Sequence, residues 1–139
     1  MTLYTGGTFD IFHSGHVNFL RMCKRISDRV VVSLNTDFFI KLYKGNFPIN
    51  SYENRKAQLL GCRYVDEVVE NKGNDDSKIA INLVRPDIIA IGTDWAAKDY
   101  YHQMGFDQKW LDDHDIVLVY LPYTPGISTT QIKEKVKNE

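Results

Sequence analysis

The sequence predicts an α/β protein built on one doubly wound parallel sheet of five strands, with helices on both faces. Three observations predict it. Short runs rich in β-branched residues alternate with helical patterns along the whole chain, as successive βαβ units do. The runs are nearly all apolar, as strands covered on both faces are. The 139 residues suffice for one core and fall short of two ordinary domains. The expectation is therefore a Rossmann-like single domain over residues 1–139.

The first strand is read at "LYTG" (3–6), and "GGTFDIFHSGH" (6–16) carries it into a helix that begins around Ser14 to His16. Along that helix Val17, Leu20, Cys23 and Ile26 or Ser27 follow helical spacing. "RVVVSL" (29–34) is the second strand, and "KLYKGN" (41–46) reads as a flexible segment. "SYENRKAQLL" (51–60) is a helix with Asn50 or Ser51 as its N-cap. After the third strand, "DEVVE" (66–70), Ile79, Leu83 and Val84 are expected to line one face of a helix that Pro86 stops. "DIIAIG" (87–92) and "DIVLVYL" (115–121) complete the sheet, and Ser128, Thr129 and Thr130 open a last helix. The long connection between them holds "KDYYHQMGFDQKWLDD" (98–113), whose aromatics suit a core edge, a pocket or a partner.

A net charge of −1 and a pI near 6.4 supply no basic field, which argues against a duplex nucleic-acid partner and leaves local phosphate binding open. Cys23 and Cys62 belong to no CxxC pair or zinc spacing and read as free thiols of a reducing compartment. No run approaches the roughly 20 apolar residues of a membrane span, and "MTLYTGG" lacks the features of a signal peptide. The expectation is a soluble, cytoplasmic protein.

In a doubly wound sheet the ligand crevice lies outside the carboxyl ends of the strands, at the topological switch point. Four polar, glycine-bearing segments follow strand ends: "GGTFDIFHSGH", "NTD", "GTDW" and "PYTPGISTT". In the first, a helix start offers free N–H groups and a positive dipole end, and His13 and His16 aim ring donors at the same point. Gly6 and Gly7 are expected to permit a tight exit from the strand, and Gly15 a close ligand approach. The spacing is neither GxxxxGK[ST] nor GxGxxG. The two rings could also serve as metal ligands, for which the stretch offers no third donor, or pack as core or capping side chains.

"GGTFDIFHSGH" resembles the HxGH motif of the cytidylyltransferase family, a branch of the HxGH nucleotidylyltransferases, and "RYVDEVV" (63–69), "GTDW" (92–95) and "GISTTQIK" (126–133) resemble its further motifs in the same order. Within that family the resemblance is to the glycerol-3-phosphate cytidylyltransferases. It implies that CTP and a phosphorylated alcohol give a CDP-alcohol, a precursor of the kind used in cell-surface polymers, and pyrophosphate. By this resemblance His13 and His16 hold the triphosphate and stabilise the α-phosphate, with Lys44 and Arg63 as catalytic cations and Lys41 as a second candidate for the lysine role. Thr8, Phe9, Asp10, Gly15, Thr93, Asp94, Gly126, Ile127, Ser128, Thr129 and Thr130 would bind the nucleotide, and Asp37, Lys44, Arg63 and Tyr123 the acceptor. Without it, Ser128 reads as an N-cap, Lys44 as a surface lysine, Arg63 as a partner of Asp66 or Glu67, and Asp10, Asp37 and Asp94 as turn or cap residues.

The family further implies Mg²⁺ carried on the CTP triphosphate, no dedicated metal site, no nucleic-acid or membrane partner, and a homodimer. Three departures stand out. "YTPGISTT" puts Tyr123 where the family has an arginine, a tryptophan is absent near Asn74, and the connection after Trp95 is longer. They suggest an acceptor other than glycerol 3-phosphate, either a different phosphorylated alcohol or a phosphonate, used more efficiently than glycerol 3-phosphate itself. An adenylyltransferase of the same superfamily and a non-catalytic nucleotide-binding regulator are the other readings.

Overall fold

In the computed structural model, residues 1–92, 104–122 and 129–138 are described. Five strands, β1 (Thr2–Gly7), β2 (Arg29–Leu34), β3 (Glu67–Glu70), β4 (Ile88–Gly92) and β5 (Val117–Leu121), form one all-parallel sheet in the order β3-β2-β1-β4-β5. Gly7 pairs with Leu34, Leu34 with Glu70 and Gly92 with Leu121, so the strands end on a common rim. The order grows outward from β1 in one direction through β2 and β3, and then in the other through β4 and β5. That reversal sets the switch point between β1 and β4.

The described helices are α1 (Ser14–Arg25), α2 (Asp37–Lys44), α3 (Tyr52–Leu60), α4 (Lys78–Val84), α5 (Gln108–Asp113) and α6 (Thr129–Lys137). Alternate strand residues feed two separate cores. Leu3, Val30, Val32, Leu34, Ile88 and Ala90 pack with Phe19, Leu20 and Cys23 of α1 and Leu59 of α3. Tyr4, Ile89 and Ile91 point the other way, onto Ala80 and Ile81 of α4 and Leu111 of α5. The two layers are what a parallel sheet with continuous apolar strands requires.

Three expectations change. Segment 41–46 is ordered: α2 continues through Lys44, and Gly45, at φ 85°, ends it in a left-handed cap whose N–H donates to the Lys41 carbonyl at 2.9 Å. The inner face of α4 is Ala80, Ile81 and partly Val84, while Ile79 and Leu83 are 48% and 70% exposed. Two turns carry two overlapping apolar stripes, and the seating of the helix start chooses between them. Ser77 donates both its N–H and its hydroxyl to the Met104 carbonyl, at 3.0 and 2.7 Å. In the 98–113 segment, the described aromatics take the core role: Phe106 is buried and stacks on Trp110 against the α4 and α5 layer. Tyr100, Tyr101 and His102 lie outside the described residues.

The choice of stripe is testable by urea unfolding. Ile81→Ala is expected to cost about 2–5 kcal/mol through the lost burial and the cavity left behind, whereas Leu83→Ser should change stability by no more than about 0.5 kcal/mol. The reverse order would place the other stripe inward.

Candidate active site

The segment after β1 is held in a conformation that its residues resist. Phe9 and Ile11 have φ of 50° and 48°, in the left-handed region where a non-glycine residue costs about 1–3 kcal/mol and a β-branched one is an outlier. Gly7 makes this possible by close approach: a Cβ there would stand 2.9 Å from the Phe9 ring. At Gly6 the nearest contact would be 3.5 Å, so the tight-exit role expected for both glycines belongs to Gly7 alone. Asp10, only 4% exposed, accepts N–H bonds from Ile11 (3.1 Å), Ile49 (2.7 Å) and Asn50 (2.9 Å), tying the loop to the 45–50 connection.

His13 is the N-cap of α1, and His16 occupies the third helical position. The Gly15 N–H donates to His13 Nδ1 at 3.1 Å, and the His13 N–H donates to His16 Nδ1 at 3.2 Å, a capping box made from two imidazoles. Because each Nδ1 accepts, each neutral ring must carry its proton on Nε2, an assignment that follows from the hydrogen bonds. The rings stack with centroids 3.7 Å apart, and Phe9 and Phe12 pack on His16 at 5.2 and 5.4 Å. Burial pushes the His16 pKa down to about 3, with the His13 ring adding to the effect and Asp10 opposing it; burial lowers His13 as well. Both rings are neutral at pH 7. His13 Nε2 is buried and has no hydrogen-bond partner among the described residues.

Arg55 of α3 is completely buried and joins the surrounding segments. Its guanidinium donates to the carbonyls of Asn50 (3.0 Å), Thr8 (2.9 Å) and Asn35 (2.9 Å) and to the Asp37 carboxylate (2.6 Å). Sequence reasoning passed over this residue. The available signal was its i, i+4 spacing from Leu59 on the inward stripe of α3.

These elements enclose a cavity of about 430 Å³ lined by Thr8, Phe9, Asp10, His16, Lys44 and Lys133, with residues 46–48 along one wall. The structure thus brings His16, Lys44, Thr8, Phe9 and Asp10 together. Asp37 is at the same rim, with one carboxylate oxygen on Arg55. Gly15 is buried in the first turn of α1, its N–H committed to His13. Lys41 donates to the Gly45 carbonyl at 2.7 Å and lies over Phe47, so it caps α2. Arg63 is not brought to the site. It precedes β3, where Asp66 bonds to Val30 at the amino ends of the strands, so it belongs to the opposite rim and its guanidinium lies 5.8 Å from the Tyr64 ring centre. Lys133 lines the cavity although only its motif, not its role, was read from the sequence. Thr93, Asp94, Tyr123, Gly126, Ile127 and Ser128 lie outside the described residues; Thr129 and Thr130 begin α6. Among the described residues no three His, Cys, Asp or Glu side chains are grouped to hold a metal ion.

The profile of the family described as Cytidylyltransferase-like matches residues 4–135. The chain belongs to this family. It is 42% identical over 132 residues, 95% of this chain and 94% of the other, to a glycerol-3-phosphate cytidylyltransferase of Bacillus subtilis (strain 168). It is 45% identical over 89 residues to an FAD synthase of Pyrococcus horikoshii, covering 64% of this chain and 60% of that one. Among solved structures, a lipopolysaccharide core biosynthesis protein from Thermoplasma volcanium superposes with a TM-score of 0.66 at 25% identity, over 89% of this chain and 96% of that chain. The doubly wound α/β fold and membership of the nucleotidyltransferases therefore agree with the geometry of the rim.

The histidine pair has a consequence for acid stability. Between the unfolded pKa of about 6.5 and the folded value near 3, the unfolded chain binds a proton at His16 that the native chain does not. Stability is therefore full above pH 6.5 and declines as the pH falls, by up to about 1.4 kcal/mol per pH unit for one such proton. His16→Gln keeps an acceptor for the His13 N–H, and chemical denaturation from pH 7 to 4 should show a shallower loss for this variant than for the parent. Parallel curves would mean that His16 titrates normally in the folded protein.

Proposed function

We propose that the protein transfers the cytidylyl group of CTP to glycerol 3-phosphate, giving CDP-glycerol and pyrophosphate. The observation that carries the reading is the pair of neutral imidazoles fixed by the helix cap, beside a cavity with two lysines. They lie in a chain that is 42% identical, nearly end to end, to a glycerol-3-phosphate cytidylyltransferase.

The chemistry suits these groups. An oxygen of the acceptor phosphate, already anionic at pH 7, forms a bond to the α-phosphorus. The bond from that phosphorus to the bridging oxygen of the β-phosphate breaks, and its electron pair leaves with pyrophosphate. No proton is taken from the nucleophile, so no general base is needed. The barrier is electrostatic, and donors placed in advance where charge develops lower it. His13 and His16 supply such donors: an imidazole held neutral, with Nδ1 accepting from the backbone, presents an Nε2–H that can donate to a phosphate oxygen and is not acidic at pH 7. Lys44 is assigned to the acceptor phosphate, and segments 93–94 and 126–130 to the nucleotide. Mg²⁺ enters with the triphosphate, in keeping with a cavity of lysines whose lining carboxylate, Asp10, is already bonded to three backbone amides. The proposal includes a cytoplasmic homodimer; among the described residues no helix is long and apolar enough to cross a membrane.

Of the features behind the expectation of another acceptor, the described aromatics of segment 104–113 close the core, whereas Tyr100, Tyr101 and Tyr123 lie outside the described residues. The likeness to an FAD synthase keeps the choice of nucleotide as the point to test. Pyrophosphate release should be greatest with CTP and glycerol 3-phosphate across the four ribonucleoside triphosphates and a panel of phosphorylated alcohols. His13→Asn and His16→Gln keep acceptors for the helix cap while removing Nε2–H, and each should lower kcat by about 10²-fold or more with little change in thermal midpoint. Preference for ATP, or near-normal turnover in both variants, would overturn the reading.

A further inference from the structure

Thr8, Asn35 and Asn71 each stand one residue beyond the paired row of Gly7, Leu34 and Glu70, so they continue the register of β1, β2 and β3 along the carboxyl rim. The backbone ladder reaches them: the Asn35 N–H donates to the Gly7 carbonyl and the Asn71 N–H to the Leu34 carbonyl, both at 3.0 Å. Their side chains form a second row above it. Asn71 Nδ2 donates to Asn35 Oδ1 at 2.9 Å, Asn35 Nδ2 donates to Thr8 Oγ1 at 3.3 Å, and Thr8 Oγ1 lies 2.9 Å from the Tyr43 hydroxyl. Thr8 in turn lines the cavity with His16 and Lys44.

The row has one direction. Its anchor is the carbonyl of Asn74, a residue at φ 55°, which can only accept and takes a bond from Asn71 Nδ2 at 2.8 Å. This sets the Asn71 amide, so Asn35 must turn its Oδ1 to Asn71 and its Nδ2 to Thr8, an assignment that follows from the hydrogen bonds. A buried acceptor is left over: Asn71 is 5% exposed, and its Oδ1 has no hydrogen-bond partner among the described residues. Turning the amide round would satisfy nothing, since Oδ1 would then face the Asn74 carbonyl. At the far end, Thr8 accepts from Asn35, and its own hydrogen is not used within the row. Tyr43, 48% exposed, can donate to the second lone pair of Thr8 and leave that hydrogen to the cavity.

We propose that Asn71 and Asn35 are positioning residues that make the Thr8 hydroxyl a donor to a phosphate oxygen in the cavity. Neither amide touches the substrate. They act by denying Thr8 an internal acceptor, so that its hydrogen is available where an anion arrives. The nucleotide and the phosphorylated alcohol both present such an oxygen, and their identity rests on the cytidylyl-transfer reading; the direction of the hydroxyl does not.

Asn35→Asp reverses the last link without changing size, because the carboxylate still accepts from Asn71 and now accepts from Thr8 as well. Titration of the ¹⁵N-labelled protein with inorganic phosphate, followed by amide shifts, needs no turnover. Asn35→Asp should weaken binding about tenfold or more, and Asn71→Ala, which frees the Asn35 amide to turn, by a smaller factor. The added charge also repels the anion, and a double-mutant cycle separates the two effects: in a Thr8→Val background the loss caused by Asn35→Asp should shrink by about threefold or more. In steady-state assays Asn35→Asp should raise KM more than it lowers kcat, with a thermal midpoint close to the parent's. The KM that rises is that of CTP if Thr8 serves the triphosphate, and that of glycerol 3-phosphate if it serves the acceptor. Equal losses in the two backgrounds overturn the proposal. So do absence of phosphate binding by the parent, unaltered binding in Asn35→Asp or Asn71→Ala, two unchanged KM values in an active enzyme, or a fall in thermal midpoint that accounts for the loss. If phosphate binding shows the coupled loss while CTP and glycerol 3-phosphate are not substrates, the ladder stands and the reaction assignment fails.

Discussion

A fully buried guanidinium must find acceptors for its donors, and Arg55 finds them only if four segments from different parts of the chain are in place at once. The carbonyl of Thr8 comes from the end of β1, that of Asn35 from the end of β2, the Asp37 carboxylate from the start of α2 and the Asn50 carbonyl from the approach to α3. Losing an acceptor leaves part of a fully buried charge without compensation, although the Asp37 side of the ion pair is 37% exposed and shares its charge with water. The rim of the sheet is thereby made rigid where a parallel fold would otherwise end in independent loops. Asp10 adds the reciprocal arrangement, a buried carboxylate that collects backbone N–H groups from its own loop and from residues 49 and 50.

That rigidity is what lets the chain hold Phe9 and Ile11 in left-handed conformations and deliver His13 to the N-cap of α1. Local structure and chemistry are coupled there through single atoms. The Nδ1 atoms that satisfy two N–H groups at the helix start are thereby unavailable for protons, and burial disfavours the imidazolium, so the tautomer and the charge of each ring are consequences of the fold. A helix start alone attracts anions through its unpaired N–H groups. Here part of that capacity is spent on the imidazoles, of which His16 lines the cavity and His13 stacks on it.

The sheet was legible because buried parallel strands leave continuous β-branched runs, and "RVVVSL" matches β2 residue for residue. The histidine pair was legible as a feature of the strand-to-helix junction, where the structure uses it as the helix cap, one of the readings the sequence left open. Other features needed the third dimension. On α4, Ile79 and Leu83 are as periodic as Ala80 and Val84, and only the seating of Ser77 on Met104 decides between the stripes. Arg63 sits in a motif shared with the family, yet its position before β3 puts it at the amino rim, a placement that spacing along the chain does not report. Arg55 escaped notice because a charged residue within a helical stripe reads as surface unless its acceptors, up to 47 positions away, are known.

The central claim is that the helix cap fixes both imidazoles as neutral rings protonated on Nε2. Two-bond proton–nitrogen correlation spectra of the ¹⁵N-labelled protein measure this directly, since the ring nitrogen shifts separate the two tautomers and the imidazolium. The structure predicts Nε2–H patterns for both rings at pH 8 and, for His16, a pattern that persists unchanged to pH 5. An Nδ1–H pattern, or conversion of His16 to the imidazolium with a midpoint near 6.5, would contradict it.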